Sequence, residues 1–392
     1  MQESLSRYTA LKQEILDRIR DHHLRPWDVS RGNIFFISDA YPGVWLEHTF
    51  DAVVWADYCP ADHEVSRNQV RLFLDRQKPD GQLPCYIWKD KIGYSQLQEC
   101  VSFGSLCLDA VRQNPQDETL LADCYDGVSA WISWQEKHRM TQKKGLIEMF
   151  CGYDTGHDNS GRFAGMRYPE NICEDAAAAP ADDDVLPVIA PDINACYYGD
   201  LRALAGMARK LNRSPEAQAW DAEAERVRKA LFDICFDPVD RFFYDVDKNG
   251  NKRKIRSISV TNVLTEGIPD QALADEIFSR YLWNPKEFRT PYPFPAVSSG
   301  DPAWVQNRKG NSWGFYSQGL TCLRTLRWME RYGYGKEMRE IMALWVRAWA
   351  DSTTTRCGQE LHPLTGVPSD CSQYYSSCML YLLVAMRTLY GI

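Results

Sequence analysis

Residues Ala190 to Phe236 read APDINACYYGDLRALAGMARKLNRSPEAQAWDAEAERVRKALFDICF. Two stretches with helical period follow each other here, Asp192 to Leu211 and Ser214 to Phe236. Helices joined this tightly pack as an antiparallel pair. The same three-and-four spacing recurs outward in both directions. Ser4 to His22 sets Tyr8, Leu11, Ile15 and Ile19 on one face; Ala52 to Arg76, Ser95 to Arg112 and Glu118 to His138 follow. Beyond the quoted stretch come Pro269 to Tyr281, Ser312 to Tyr332, Lys336 to Ala350 and Cys371 to Leu389. That makes about ten helices, with one or two more hidden in less periodic sequence. Strand signal is confined to Arg241 to Asp247, followed by Asn249-Gly250, a tight-turn pair that predicts a small hairpin. Strands and helices do not alternate, so a doubly wound sheet is not expected. No Gly/Ser linker divides the chain. The expectation is one all-α domain over residues 1–392, its helix pairs closed into a toroid whose loops gather at one end and form a pocket.

Composition narrows the function. With 45 Lys and Arg against 53 Asp and Glu, the net charge of −8 argues against a nucleic-acid footprint. No apolar run is long enough to span a membrane. The charged N-terminal stretch does not read as a signal peptide. Thirteen cysteines without a CxxC pair give no zinc spacing and suggest free thiols in a reducing cytoplasm. Aromatics reach 12%. A large helical core consumes such residues, and flat sugar faces also stack on them.

Two long irregular stretches, Phe150 to Pro191 and Pro285 to Gly310, are the natural place for function. The first holds Asp154-Thr-Gly-His-Asp158-Asn-Ser-Gly-Arg162. Its glycines allow close backbone approach, and polar neighbours surround Asp158. A second loop, Gly358-Gln-Glu360-Leu-His362-Pro-Leu-Thr-Gly366, precedes the last helix. Two separated carboxyls on loops are what glycosidic-bond hydrolysis needs: one protonates the leaving oxygen and the other activates water or attacks carbon. An Asx turn or a surface carboxylate is the plainer reading of each alone. The acidic run Asp182-Asp183-Asp184, with Glu174 and Asp175, matches no calcium loop and reads as solvated. Trp134, Trp328 and Trp345 read as helix-seam residues.

TGHDNSGR, ending at Arg162, resembles the acid-bearing SG-x-DNS-PR motif of glycoside hydrolase family 63, which includes processing α-glucosidases and mannosylglycerate hydrolases. ELHPLTG, from Glu360, resembles its E-x-x-P-x-TG base motif. Further likenesses run in order: VWLEHTFDAVVWAD from Val44, QKPDGQLPCYI from Gln77, Tyr94-Ser-Gln96, APD-x-N from Ala190, YDVD in the hairpin, and GNSWGFYSQGL from Gly310. They cover the chain from about Val44 onward. The resemblance implies an (α/α)6 barrel and an inverting mechanism, with Asp158 as general acid and Glu360 as general base. It implies no cofactor and no metal, and a small carbohydrate as partner. Glu47, Asp51, Gln96, Asp192, Asn194 and Trp313 would position the sugar. Trp45, Trp88, Trp313 and Tyr374 are candidate stacking platforms, and His157 a candidate contact. The chain departs from the family where Glu47-His48 replaces Trp-Asp, where Gly161 replaces Pro, and where no Arg flanks Trp313-Gly314; these changes bear on which sugar is bound. Burial among Phe150, Tyr153 and Phe163 would raise the pKa of Asp158. The expected activity is removal of a terminal α-linked glucose or mannose. Two other readings stay open: a sugar epimerase using His157 and His362 as an acid–base pair, and a carbohydrate-binding protein without activity.

Overall fold

The computed structural model describes residues 2–28, 32–41, 43–88, 91–168, 175–178, 183–304, 311–353 and 356–392. Glu174, Asp182 and Gly310 lie outside the described residues. Among those described, the α-helices are α1 Gln2–Arg18, α2 Thr49–Tyr58, α3 Glu64–Leu74, α4 Phe103–Gln113, α5 Leu120–His138 and α6 Pro191–Lys210, then α7 Ser214–Ile234, α8 Val260–Thr265, α9 Gln271–Ile277, α10 Gly319–Arg331, α11 Gly335–Asp351 and α12 Ser376–Tyr390.

Each even-numbered helix packs on the next even-numbered one, and α12 packs back on α2, so six helices close an inner ring. The odd-numbered helices lie outside it. α3 packs on α2 and α4, α5 on α4 and α6, α7 on α6, and α1 and α11 on α12. Burial follows the layers. From Pro191 to Ala208 every residue of α6 is buried except Arg202 and Gly206, and α8 is buried throughout. Outer α7 buries only Ala217, Ala224, Val227 and Leu231, a single stripe at helical spacing. This is the (α/α)6 toroid. Trp134, Trp328 and Trp345 fill its helix seams, each buried. No helix among the described residues is long and apolar enough to cross a membrane.

Several boundaries differ from the sequence expectation. The helix expected over Ala52 to Arg76 is two. Cys59, the residue before Pro60, leaves the helical region at φ −123°, ψ 82°, and α3 starts afresh after a short 3-10 turn. Helix α8 is not expected from the sequence, because six wholly buried residues carry no amphipathic period. Three expected helices start late: α4 at Phe103, with Ser102 as its cap, α10 at Gly319 and α12 at Ser376. The irregular stretches left in front of them, with Gln98, Ser372 and Tyr374 at positive φ, belong to the cavity end of the ring.

The expected hairpin forms, Asp245–Val246 against Lys252–Arg253. It extends into a small sheet through Val188–Ile189 and Glu148–Met149. Other short strands, beyond the one hairpin expected, also knit loops. Val44–Trp45 pairs with Tyr86–Trp88, and Ser317–Gln318 with Glu360–Leu361. In the acidic stretch, Asp183 accepts the Val185 and Leu186 N–H groups at 2.7 and 2.8 Å, so it shapes a turn.

Candidate active site

A cavity of about 300 Å³ opens at one end of the ring. Every lining residue comes from the chain leading into an inner helix or from that helix's first turn. Trp45, Glu47 and His48 precede α2; Ser95, Gln96 and Gln98 precede α4; Tyr153, Gly156 and Asp158 belong to the loop before α6. Asn311, Trp313 and Leu320 lead into α10, and Gln359 and Tyr375 lead into α12. A toroid therefore brings together loops far apart in sequence.

The Asp158 loop is anchored by Asp154. Its buried carboxylate accepts the Leu97 and Phe150 N–H groups, each at 2.7 Å, and pairs with Arg139 at 2.7 Å. Gly156 follows at φ +68°, where a Cβ would stand 2.6 Å from Cys100 Sγ and 3.1 Å from Glu47 Oε1. Only glycine lets the loop lie this close to Glu47. Asp158 then reaches the cavity wall. Asn311 Nδ2 donates to its Oδ2 at 2.9 Å, and the Trp313 N–H donates to its backbone carbonyl at 3.1 Å. Burial and the nearby charge of Glu47 push the Asp158 carboxyl up to about 7, against the Asn311 hydrogen bond.

Glu360 sits on the short strand paired with Ser317–Gln318, directly across from Gln318. Gln318 Nε2 donates to Glu360 Oε2 at 2.7 Å, and the Ser312 N–H donates to the same oxygen at 3.2 Å. Gln359 Nε2 donates to Asn311 Oδ1 at 2.8 Å, closing a chain of contacts from one carboxylate to the other. Burial pushes Glu360 up to about 7, opposed by Gln318, the Ser312 N–H and the Ser369 hydroxyl. The cavity lining reaches its neighbours Gln359 and Asn311; the Glu360 carboxylate itself is sealed at 0% exposure. The Tyr41 hydroxyl, in the same cavity, is raised by burial and also by Asp158 and Glu360.

Of the sugar-contact residues expected from sequence, Trp45, Glu47, Gln96 and Trp313 line the cavity. One face of Trp45 is backed by Tyr86 at 4.1 Å. Glu47 accepts Gln98 Nε2 at 2.8 Å and pairs with buried Arg324. The others serve the frame. His157 stacks behind Trp313 at 4.2 Å, with the Arg162 guanidinium 3.3 Å from its Nδ1. Burial drives its pKa down to about 3, so the ring is neutral. Asp192 is gripped by Arg162 at 2.7 and 3.0 Å, and Arg162 holds Asp245 of the hairpin as well, at 2.7 and 2.9 Å. Asn194 spends its amide on Ile147, accepting its N–H at 2.7 Å and donating to its carbonyl at 2.9 Å. Asp51 is buried between α2 and α12, where the Ser376 and Ser377 hydroxyls donate to it. Tyr374 turns away, donating to Glu14 at 3.0 Å under the Arg18 guanidinium. Its neighbour Tyr375 takes the cavity position and bonds His48 Nε2 at 2.7 Å. Trp88 is not part of the cavity lining. His362 Nδ1 accepts N–H groups of its own turn, at 3.2 Å from Leu364 and 3.3 Å from Thr365. With His157 buried and His362 capping a turn, the two histidines do not form an acid–base pair.

The sequence reading missed Tyr41, His48, Gln98, Asn311, Gln359 and Tyr375. Gln359 abuts Glu360 in the chain and His48 abuts Glu47, and that adjacency was the available signal. Among the described residues, no group of three or more His, Cys, Asp or Glu side chains is arranged to hold a metal ion, and the cysteines are free thiols.

A family model for the mannosylglycerate hydrolase MGH1-like glycoside hydrolase domain matches residues 47–377. The fold is similar to a GH63 mannosylglycerate hydrolase from Thermus thermophilus in complex with glucose, with TM-score 0.74 and 17% identity over 95% of this chain and 99% of that one. The same Thermus enzyme in complex with Tris and D-glycerate matches at TM-score 0.74 and 16% identity, over 95% and 99% of the two chains. Neutral trehalase Nth1 from Saccharomyces cerevisiae matches at TM-score 0.69 and 12% identity, over 98% of this chain and 80% of that one. No curated protein sequence matches the chain.

Proposed function

Because the chain belongs to the mannosylglycerate hydrolase MGH1-like family and is a glycoside hydrolase, we propose that it removes a terminal α-linked glucose or mannose from a small glycoside with inversion. The whole chain acts as one catalytic domain. Asp158 delivers its proton to the glycosidic oxygen as that bond to the anomeric carbon breaks. Glu360 takes a proton from a water that attacks the opposite face of the ring. Inversion needs the two carboxyls roughly 6.5–9.5 Å apart, with the water between. A cavity of about 300 Å³ with one open end suits a single terminal sugar and so an exo action. Glu47, Gln96 and Gln98 offer hydroxyl partners on one wall, and Trp45 and Trp313 offer flat faces. The glucose and D-glycerate bound in the Thermus structures favour a small glycosylated acid or polyol among the substrates to test.

The observation that carries this reading is the single loop, Asn311-Ser312, hydrogen-bonded to both carboxylates. Since Glu360 is sealed from the cavity, catalysis includes a small shift of the wall around Asn311, Trp313 and Gln359 as substrate binds. The test is sugar release from α-glucosides, α-mannosides and glycosylglycerates. Wild type should release free sugar from at least one, and Asp158→Asn and Glu360→Gln should each lose about a hundredfold or more. Interconversion of sugars without hydrolysis, binding without turnover, or full activity in either variant would refute the proposal.

A further inference from the structure

We infer that Ser312 and Gln318 are the residues that hold the attacking water against Glu360. This deepens the proposed function and rests on Glu360 as its base.

Three polar atoms are buried without a hydrogen bond of full geometry: Gln318 Oε1, Ser312 Oγ, and Glu360 Oε1, of a carboxylate that also has the Ser369 hydroxyl beside it. They belong to groups already tied together. Gln318 Nε2 and the Ser312 N–H both donate to Glu360 Oε2, at 2.7 and 3.2 Å, and Gln318 Nε2 also reaches the Ser312 carbonyl at 3.3 Å. Each orphaned atom is therefore only a few covalent bonds from an atom in this cluster of contacts around the Glu360 carboxylate. The amide of Gln318 is oriented by chemistry: both partners of its nitrogen are acceptors, so its oxygen must be the free end.

This trio matches one water. A buried water makes about three hydrogen bonds, and here two acceptors and one hydroxyl are provided. The water gives one O–H to Glu360 Oε1 and the other to Gln318 Oε1, and accepts the Ser312 O–H. One lone pair is left for the anomeric carbon. In the reaction that pair forms the new C–O bond, and the water proton passes to Glu360. The glycosidic C–O electrons go to the leaving oxygen, which takes the proton of Asp158. A buried polar atom left unpaired is unfavourable, which favours uptake of a water here once the adjoining wall yields. Ser312 and Gln318 are positioning residues, acting through the water and Glu360.

The experiment uses α-D-glucosyl and α-D-mannosyl fluoride as donors, with methanol as a competing nucleophile. Ser312→Ala should lower kcat about tenfold with KM within about twofold of wild type, the size of effect expected when a reactant loses its orientation. It should also raise the ratio of methyl β-glycoside to free sugar several-fold, because water loses its advantage over methanol. Gln318→Met should act in the same direction. A thermal unfolding midpoint like that of wild type shows that the Ser312 variant is folded, so a poorly folded Gln318 variant would leave the test standing. A wild type that inverts while Ser312→Ala keeps both kcat and the methanol ratio overturns the assignment. A wild type that releases the α-anomer first removes the base reading, and this assignment with it.

Discussion

Asp158 and Glu360 are hydrogen-bonded by adjacent residues of one loop: Asn311 Nδ2 donates to Asp158 at 2.9 Å, and the Ser312 N–H donates to Glu360 at 3.2 Å. About two hundred positions of chain separate the two carboxyls, yet one dipeptide bonds both.

The electrostatics around Asp158 can be tested from both sides. Asn311 stabilises its charged form and Glu47 disfavours it. Asn311→Ala removes a donor to the anion, so the Asp158 pKa rises. Glu47→Gln removes a neighbouring negative charge, so it falls. The acid must be protonated to act, so the alkaline limb of kcat/KM should move up in the first variant and down in the second, each by roughly half a unit to one unit. Limbs that stay put, or move the same way, would show that Asp158 is not the acid.

Wild-type activity should peak near neutral pH. Glu360 must be ionised and Asp158 protonated, and both titrate at about 7. The kcat/KM profile should therefore be a narrow bell, rising through the first group and falling through the second. A broad plateau from pH 5 to 9 would contradict it.

Stability should carry the mark of buried Glu360. Its carboxyl is raised from 4.5 to about 7 in the fold. The folded state thus holds a proton that the unfolded chain gives up, and stability falls as pH climbs between those values. The penalty is absent below about pH 4 and complete above about pH 7, amounting to at most about 3 kcal/mol. Glu360→Gln removes it. Denaturant unfolding should show the variant gaining on wild type at pH 8 and not at pH 4; a difference independent of pH would refute the shift.

Arg162 supports the acid loop from behind. At 1% exposure it pairs with both Asp192 and Asp245. Arg162→Met leaves two buried carboxylates without their partner and should destabilise by about 3–5 kcal/mol, read as a lower denaturation midpoint. A loss below about 1 kcal/mol would mean the network relaxes into solvent.

The layered architecture was legible because the outer helices carry clean apolar stripes, as α7 does. Inner helices were harder. Buried on every side, α8 loses the period that marks a surface helix, whereas the break at Cys59–Pro60 is signalled by the proline itself, which the expectation of one helix over Ala52 to Arg76 passed over. The hairpin was legible from Asn249-Gly250, whose Gly250 adopts φ +85°. At the site, Asp158 and Glu360 stood out through their flanking glycines and family motifs. Asp51, Asn194 and Tyr374 looked alike in sequence, but each finds partners in the frame: serines of α12, the Ile147 backbone, and Glu14. Which way a polar residue at a helix start points depends on its neighbour across the ring, and one sequence does not carry that pairing. Asn311 and Tyr375 were missed for the same reason.

The central claim is that these two carboxyls act on opposite faces of one sugar. Proton NMR of the first product released from an α-linked substrate tests it most directly. The account predicts the β-anomer first, followed by mutarotation. The α-anomer appearing first would contradict it.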